Sequence, residues 1–312
     1  LRDSCHKFGV VFNDADGIAN QLVRDYEKDM FYSPTNKAFQ LMKTQRAAFG
    51  DWYDNVTIEG QEHLYPKPFL YSMQLDSRHP FYEHRDKVDR VLCLYDNSGE
   101  SFLPGQDDEA FRPVTRHMAI SKALFFCFDP TQEPKWRKAA KMPAAAIKGL
   151  EGRVTEPQEV VFTEMLERLA THQKVRKRAE DVQEDKPLVI ILTKYDTWSE
   201  LLGSKRLKKP WNPCENGSYL FNIEMVERVS SELRSILQKT SPSFVHRAEQ
   251  FTSKLLFVPV SATGRSPDEE TNKFHPDEIE PMWCEVPMLA TLANWGGPGH
   301  IIPSFRRQRF KS

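Results

Sequence analysis

Four polar clusters in this 312-residue sequence each follow directly on an apolar run. Asp96-Asn97-Ser98-Gly99-Glu100 follows VDRVLCLY (88–95), and Asp129-Pro130-Thr131 follows ALFFCF (123–128). Thr193-Lys194-Tyr195-Asp196 follows LVIIL (188–192), and Ser261-Ala262-Thr263-Gly264 follows LLFVPV (255–260). Carboxylates, hydroxyls, a lysine and glycines thus recur where the chain leaves an apolar stretch. Open α/β sheets bind ligands in the crevice beyond the carboxyl ends of their strands. A row of such residues at four strand exits is what a nucleotide pocket requires, although no single cluster carries that conclusion.

The elements that must position these residues follow from the pattern. The four runs are continuous rather than alternating and rich in β-branched or aromatic residues, as in strands buried on both faces. Residues 156–170 (EPQEVVFTEMLERLA) and 223–237 (IEMVERVSSELRSIL) carry apolar residues at helical spacing. Thr155 and Gln158 form a capping-box pattern ahead of the first of these, with Pro157 in the opening turn. Strand alternating with helix predicts an α/β fold, a mostly parallel sheet with helices on both faces. Residues 8–12 and 69–75 read as further strands flanking a helix at 16–31, and the alternation in 69–75 suits a half-exposed edge or hairpin strand. A helix at 288–295 ends in Gly296-Gly297-Pro298-Gly299. Residues 132–186 and 199–222 are charged and read as insertions into one domain spanning 1–312. Their basic clusters are solvated faces or docking surfaces for an acidic or phosphorylated partner.

Taken in order, D-x-x-G, T-K-x-D and S-A are the sequence grammar of a GTPase. Residues 96–264 resemble the translation-factor-related class of P-loop GTPases. The stretches LYDNSGESF (94–102), TRHMAISKALFFCFDPTQ (115–132), ILTKYDTW (191–198) and VPVSATG (258–264) resemble the bacterial double-GTPase family, found in multi-component conflict or signalling systems. LMKTQ (41–45) and PKPFLY (66–71) also fit.

The resemblance implies GTP or GDP with Mg2+ as ligands and hydrolysis of GTP as the parent reaction. Asp96 would hold Mg2+ directly or through water, and Gly99, without a Cβ, would let its amide approach a γ-phosphate. Asp196 would accept two hydrogen bonds from guanine, with the Lys194 stem along the base and Thr193 tying the motif to neighbouring loops. Ser261 and the Ala262 amide would support Asp196 and meet the guanine O6. Glu100 stands where relatives orient the attacking water, and Arg116 is the second catalytic candidate, with Arg112 and His117 nearby. Thr44 is the candidate switch threonine for the metal, in competition with Thr35 and Thr57.

One departure is large. A P-loop needs G-x-x-x-x-G-K-[ST], and none of the 14 glycines is followed by lysine. The expectation is a first strand and P-loop lying upstream of Leu1, in a chain that also lacks an initiating Met. The alternative is a non-catalytic pseudo-GTPase scaffold, and a third reading is an ATP-dependent phosphotransferase, disfavoured by the guanine-type motif.

Composition sets the remaining bounds. With 43 Lys+Arg against 44 Asp+Glu, no chain-wide footprint for nucleic acid or a membrane surface exists, although a local basic patch stays open. Hydrophobic residues make up 39% and charged residues 28%, as in ordinary folded proteins. No apolar run reaches the roughly 18 residues of a membrane helix. Five widely spaced cysteines without C-x-x-C predict reduced thiols and a cytoplasmic setting. Cys93 and Cys127, inside apolar runs, are expected to behave as small hydrophobes. Asp14-Ala15-Asp16-Gly17 lacks the later glutamate of a calcium loop and reads as a turn.

Overall fold

The computed structural model describes residues 1–21, 23–25, 38, 53–58, 60–97, 102, 116–142, 157–176, 186–268, 270–271, 273–296 and 300–305. It is a mixed α/β structure containing a parallel sheet. Strands β6 (Leu124–Phe128), β7 (Leu188–Leu192) and β10 (Leu255–Pro259) form that sheet with β7 in the middle. Phe126, Ile190 and Phe257 stand level across it. Leu188, Val189 and Ile190 are all fully buried, so helices cover both faces of the central strand.

Those helices are amphipathic for the reasons the spacing predicts. On one face, Phe162 of α5 (Gln158–Arg176) and Phe244 of α8 (Pro242–Phe251) pack on Phe126 and Phe128, with ring centroids 4.8–5.8 Å apart. α7 (Ile223–Thr240) opens on Asn222, whose Oδ1 accepts the Met225 amide at 3.0 Å. It packs along β10, where buried Ser230 Oγ accepts the Phe257 amide at 2.9 Å. α9 (Val286–Trp295) packs on β7 and on α7.

The first apolar run behaves differently from the expectation. Only Arg90–Leu94 is strand (β5), Val88 ends the short helix α2 (Arg85–Val88), and Val91 is 68% exposed. β5 belongs to a second sheet in which β4 (Phe69–Leu75) lies between β1 (Val10–Asp14) and β5, antiparallel to both. β4 is therefore a central strand and not an edge or hairpin strand. Its alternation reflects one thinly covered face rather than a missing neighbour. The described strands make four sheets, of which only β6–β7–β10 is parallel throughout; β2 (Tyr53–Ile58) and β3 (Gln61–Pro66) form an antiparallel pair of their own, and a small mixed sheet completes the set.

Other boundaries also move. α1 (Arg2–Lys7) precedes β1, which starts two residues later than expected because Gly9 takes φ +73 and turns the chain. A Cβ there would stand 2.8 Å from the His79 amide nitrogen. Of the helix expected at 16–31, residues 17–20 form a turn and 21 and 23–25 are helical, and the rest lies outside the described residues. α5 runs six residues past its expected end, in a helix supported by the Arg168–Glu164 pair at 2.7 Å. Gln158 does not reach back to its own helix start; its amide binds the Asp129 backbone. Cys93 and Cys127 are exposed, because their strand faces lack a covering helix among the described residues.

In the stretch 132–186, α4 (Pro134–Ala139) buries Trp136 completely. In 199–222, β8 (Trp211–Pro213) and β9 (Tyr219–Asn222) form a small sheet with β11 (Ser304–Phe305). Phe8, just after α1, packs edge-on against Trp211 and Phe221 of that sheet. Among the described residues, no helix is long and apolar enough to cross a membrane.

Phe244 contacts three rings at once, so Phe244→Ala removes the hub of that layer. The expected cost is about 3–5 kcal/mol, read as a lower urea midpoint with an unchanged slope.

Candidate functional site

The parallel sheet delivers three of the four polar clusters to one rim. Thr193 leaves β7 with its amide donating to Phe128 O at 2.9 Å, and its hydroxyl reaches the same carbonyl at 3.3 Å. The exits of β6 and β7 are thereby tied together. Lys194 follows in the left-handed region at φ +56, an uncommon conformation for a residue with a Cβ. That twist starts helix α6 (Tyr195–Trp198) at once and points Lys194 Nζ toward the β6 exit. There Nζ stands 2.9 Å from Asp129 Oδ2 and 3.2 Å from Thr131 Oγ1.

Asp129 is a junction. Its Oδ1 accepts the Thr131 amide at 3.0 Å and hydroxyl at 2.6 Å, and Oδ2 also accepts Gln132 Nε2 at 3.2 Å. Its backbone is held by Gln158, whose Oε1 accepts the Asp129 amide at 2.6 Å while Nε2 donates to the Asp129 carbonyl at 2.8 Å. Below α6, buried Trp136 and Trp198 meet edge to face at 5.3 Å, and Trp198 Nε1 donates to Thr193 O at 2.8 Å. Tyr195 packs on Trp198 from another side, and burial raises its phenol to about 12. The α6 turn therefore rests on a fixed aromatic base.

Asp196 faces the exit of β10. Ser261, 1% exposed, donates from Oγ to Asp196 Oδ1 and accepts the Gly264 amide at 2.8 Å. The Ser261 hydroxyl is thus oriented by one donor and committed to one carboxylate. Its backbone is clamped by Met282 in both directions, with Ser261 N to Met282 O at 3.0 Å and Met282 N to Ser261 O at 2.8 Å. Gly264 at φ +75 closes the turn, and a Cβ there would lie 2.2 Å from Glu280 O. Ala262 is exposed at the tip. Burial raises the Asp196 carboxyl above its ordinary value, opposed by the Ser261 hydrogen bond and the Lys194 charge.

Asp96 follows β5 in the other sheet. Burial raises the Cys127 thiol to about 11, and the Asp96 charge adds to that rise, although Cys127 keeps contact with solvent. Cys127 stands two residues before Asp129. The groups that the parallel sheet sets along its rim are Asp129 with Lys194, then Asp196 with Ser261. Asp96 itself is exposed. Next to it, Asn97 Oδ1 is buried and has no hydrogen-bond partner among the described residues, while Nδ2 stands 3.1 Å from His117 Nε2. Among the described residues, no three His, Cys, Asp or Glu side chains converge as a metal cluster. A cation at Asp96 would need ligands from elsewhere, such as phosphate oxygens.

The structure brings together Thr193, Lys194, Asp196, Ser261 and Ala262, whereas Asp96 stands at the exit of β5 in the other sheet. Gly99, Glu100 and Thr44 lie outside the described residues, as does the side chain of Arg116, whose backbone is in helix α3 (Arg116–Ile120). Sequence reasoning missed the supporting roles of Trp136, Gln158 and Trp198. Only Gln158 carried a local signal, and that signal pointed to the wrong partner. Comparison of the chain with known protein families, with curated proteins and with solved structures found no match.

Because the folded Asp196 carboxyl binds its proton more tightly than in the unfolded chain, wild-type stability falls as pH rises from 3.8 through the folded value. Asp196→Asn is expected to be more stable than wild type at pH 7. The advantage should shrink as pH falls through that window, in paired thermal melts.

Proposed function

We propose that the rim is a guanine-nucleotide site, and that the chain is the base-recognising part of a GTP-hydrolysing switch protein similar to the bacterial double-GTPases. The observation that carries this reading is the Ser261–Asp196 hydrogen bond beside Lys194, which gathers T-K-x-D and S-A from separate strands. A half-buried carboxylate acceptor, tethered by one oxygen, is suited to the paired N1 and N2 donors of guanine. Adenine has no such pair and would leave the carboxylate desolvated and unmatched. The exposed Ala262 amide is available to the guanine O6. Asp96, after β5, would face the metal and phosphates, with Gly99 and Thr44 as further contacts and Glu100 and Arg116 as the catalytic candidates.

Hydrolysis needs a phosphate loop that residues 1–312 do not contain. Without such a loop the chain recognises the base and turns over little or no GTP. The lack of any Gly-Lys pair favours, as a second reading, a pseudo-GTPase scaffold acting within a multi-component system.

Base recognition can be tested on the chain as it stands, with nucleosides that need no phosphate loop. Ligand-observed NMR is expected to show guanosine binding at least about tenfold more tightly than adenosine. Asp196→Asn should shift the preference from guanosine to xanthosine. Equal binding of guanosine and adenosine defeats the reading.

A further inference from the structure

We propose that Lys186, remote from the rim, is a positioning residue for Asp96, acting through helix α3 and His117. Lys186 lies two residues ahead of β7, at the end of the strand opposite the T-K-x-D cluster. It is 3% exposed, an unusual place for an ammonium group. Its Nζ donates to the carbonyls of Met118 and Ala119, both at 3.1 Å, and to Ser121 O. These carbonyls belong to the C-terminal end of α3 and the residue after it, where a helix leaves its acceptors without N–H donors. An ammonium carries three donors and no acceptor, and here it meets three acceptors.

α3 depends on that clamp. It has five residues, far too few to stand as a helix alone. Its other C-terminal support comes from Ser121, whose amide and hydroxyl donate to His117 O at 3.0 and 2.8 Å. Met118 and Ala119 are buried, and the helix also packs on α5, so the Lys186 bonds add a polar anchor at its end to the apolar one along its face.

His117 sits at the N-terminal end of α3 and is 2% exposed. Its ring stacks on Tyr95 with centroids 4.3 Å apart at 25°, and its Nε2 meets Asn97 Nδ2 at 3.1 Å. Tyr95 and Asn97 are the two residues flanking Asp96. One side chain therefore grips both neighbours of Asp96, and its own placement is set by the helix that Lys186 pins. A path of direct contacts runs from the base of the parallel sheet to the exit of β5. It joins two sheets that share no strand ladder among the described residues.

The contacts involve no nucleotide, so the proposal holds or fails separately from the guanine reading. The test uses NMR on the ligand-free chain, reading exchange of the Asn97 side-chain amide and the Tyr95–His117 ring contact. Lys186→Met, which keeps the aliphatic stem, is expected to speed Asn97 amide exchange at least about tenfold and weaken the ring contact. His117→Phe, which keeps the stack and drops the Asn97 contact, should raise that exchange by a similar factor. The double variant should exceed neither single one, because both break the same path. Lys186→Gln, with two donors on a shorter arm, should fall between wild type and Met, and it reads the path even where the Met variant does not fold. A wild-type Asn97 rate and ring contact in the Lys186 variants, or multiplying effects in the double variant, overturns the proposal. Either result would leave Lys186 as a local helix cap.

Discussion

Keeping a carboxylate charged where water is scarce is the constraint around which the rim is arranged. Asp196 loses hydration on folding, and its raised carboxyl is the measure of that loss. One hydrogen bond from Ser261 compensates only in part, so the serine cannot be allowed to rotate away. The Gly264 amide occupies its acceptor side, and Met282 fixes its backbone from both directions. Gly264 can make that contact only because it lacks a side chain that would strike Glu280. The tight loop after β10 is thus a consequence of a single desolvated acid, and a group that neutralised or paired with that acid would lower the cost.

The same logic runs along the rim to Asp129. Its two oxygens take two donors from Thr131, one from Gln132 and one from Lys194, so this carboxylate is well supplied. A satisfied carboxylate beside a poorly satisfied one differentiates the two chemically. Asp129 is a structural strut holding the β6 exit to the β7 exit, and Asp196 keeps capacity for an external donor. The left-handed Lys194 is the geometric link, since its twist turns the ammonium toward Asp129 while letting α6 begin at Tyr195.

The runs of β7 and β10 were legible in the sequence because both of their faces demand apolar residues, so period and burial agree, while the run of β6 was legible as a strand although Cys127 is exposed. Thr193, Lys194, Asp196 and Ser261 were legible because each follows its strand directly. The run at 88–95 misled for a physical reason: Val91 and Cys93 are apolar yet exposed, and composition does not report which face has a cover. β4 misled in the opposite sense, since alternation records faces and says nothing of how many neighbours a strand has. Trp136, Gln158 and Lys186 could not have been found from spacing. Their partners lie about 30 to 70 residues away, and only the tertiary arrangement brings a glutamine amide to Asp129 or a lysine to the end of α3.

The candidate site residues fall into two groups with different foundations. The Asp196 half stands on the buried strands β7 and β10 and on edge-to-face contacts among Trp136, Trp198 and Tyr195, elements with little freedom to rearrange. The Asp96 half stands on a strand with one unpaired edge, joined to the rest through α3. A rigid half suits recognition of a flat, invariant base, whose shape is the same before and after any reaction of its phosphates. A half reached through a short pinned helix suits the part of a ligand that changes. Under the guanine reading, selectivity and response are separable properties of this fold, the first held by hydrogen bonds local to one sheet and the second by contacts that bridge two.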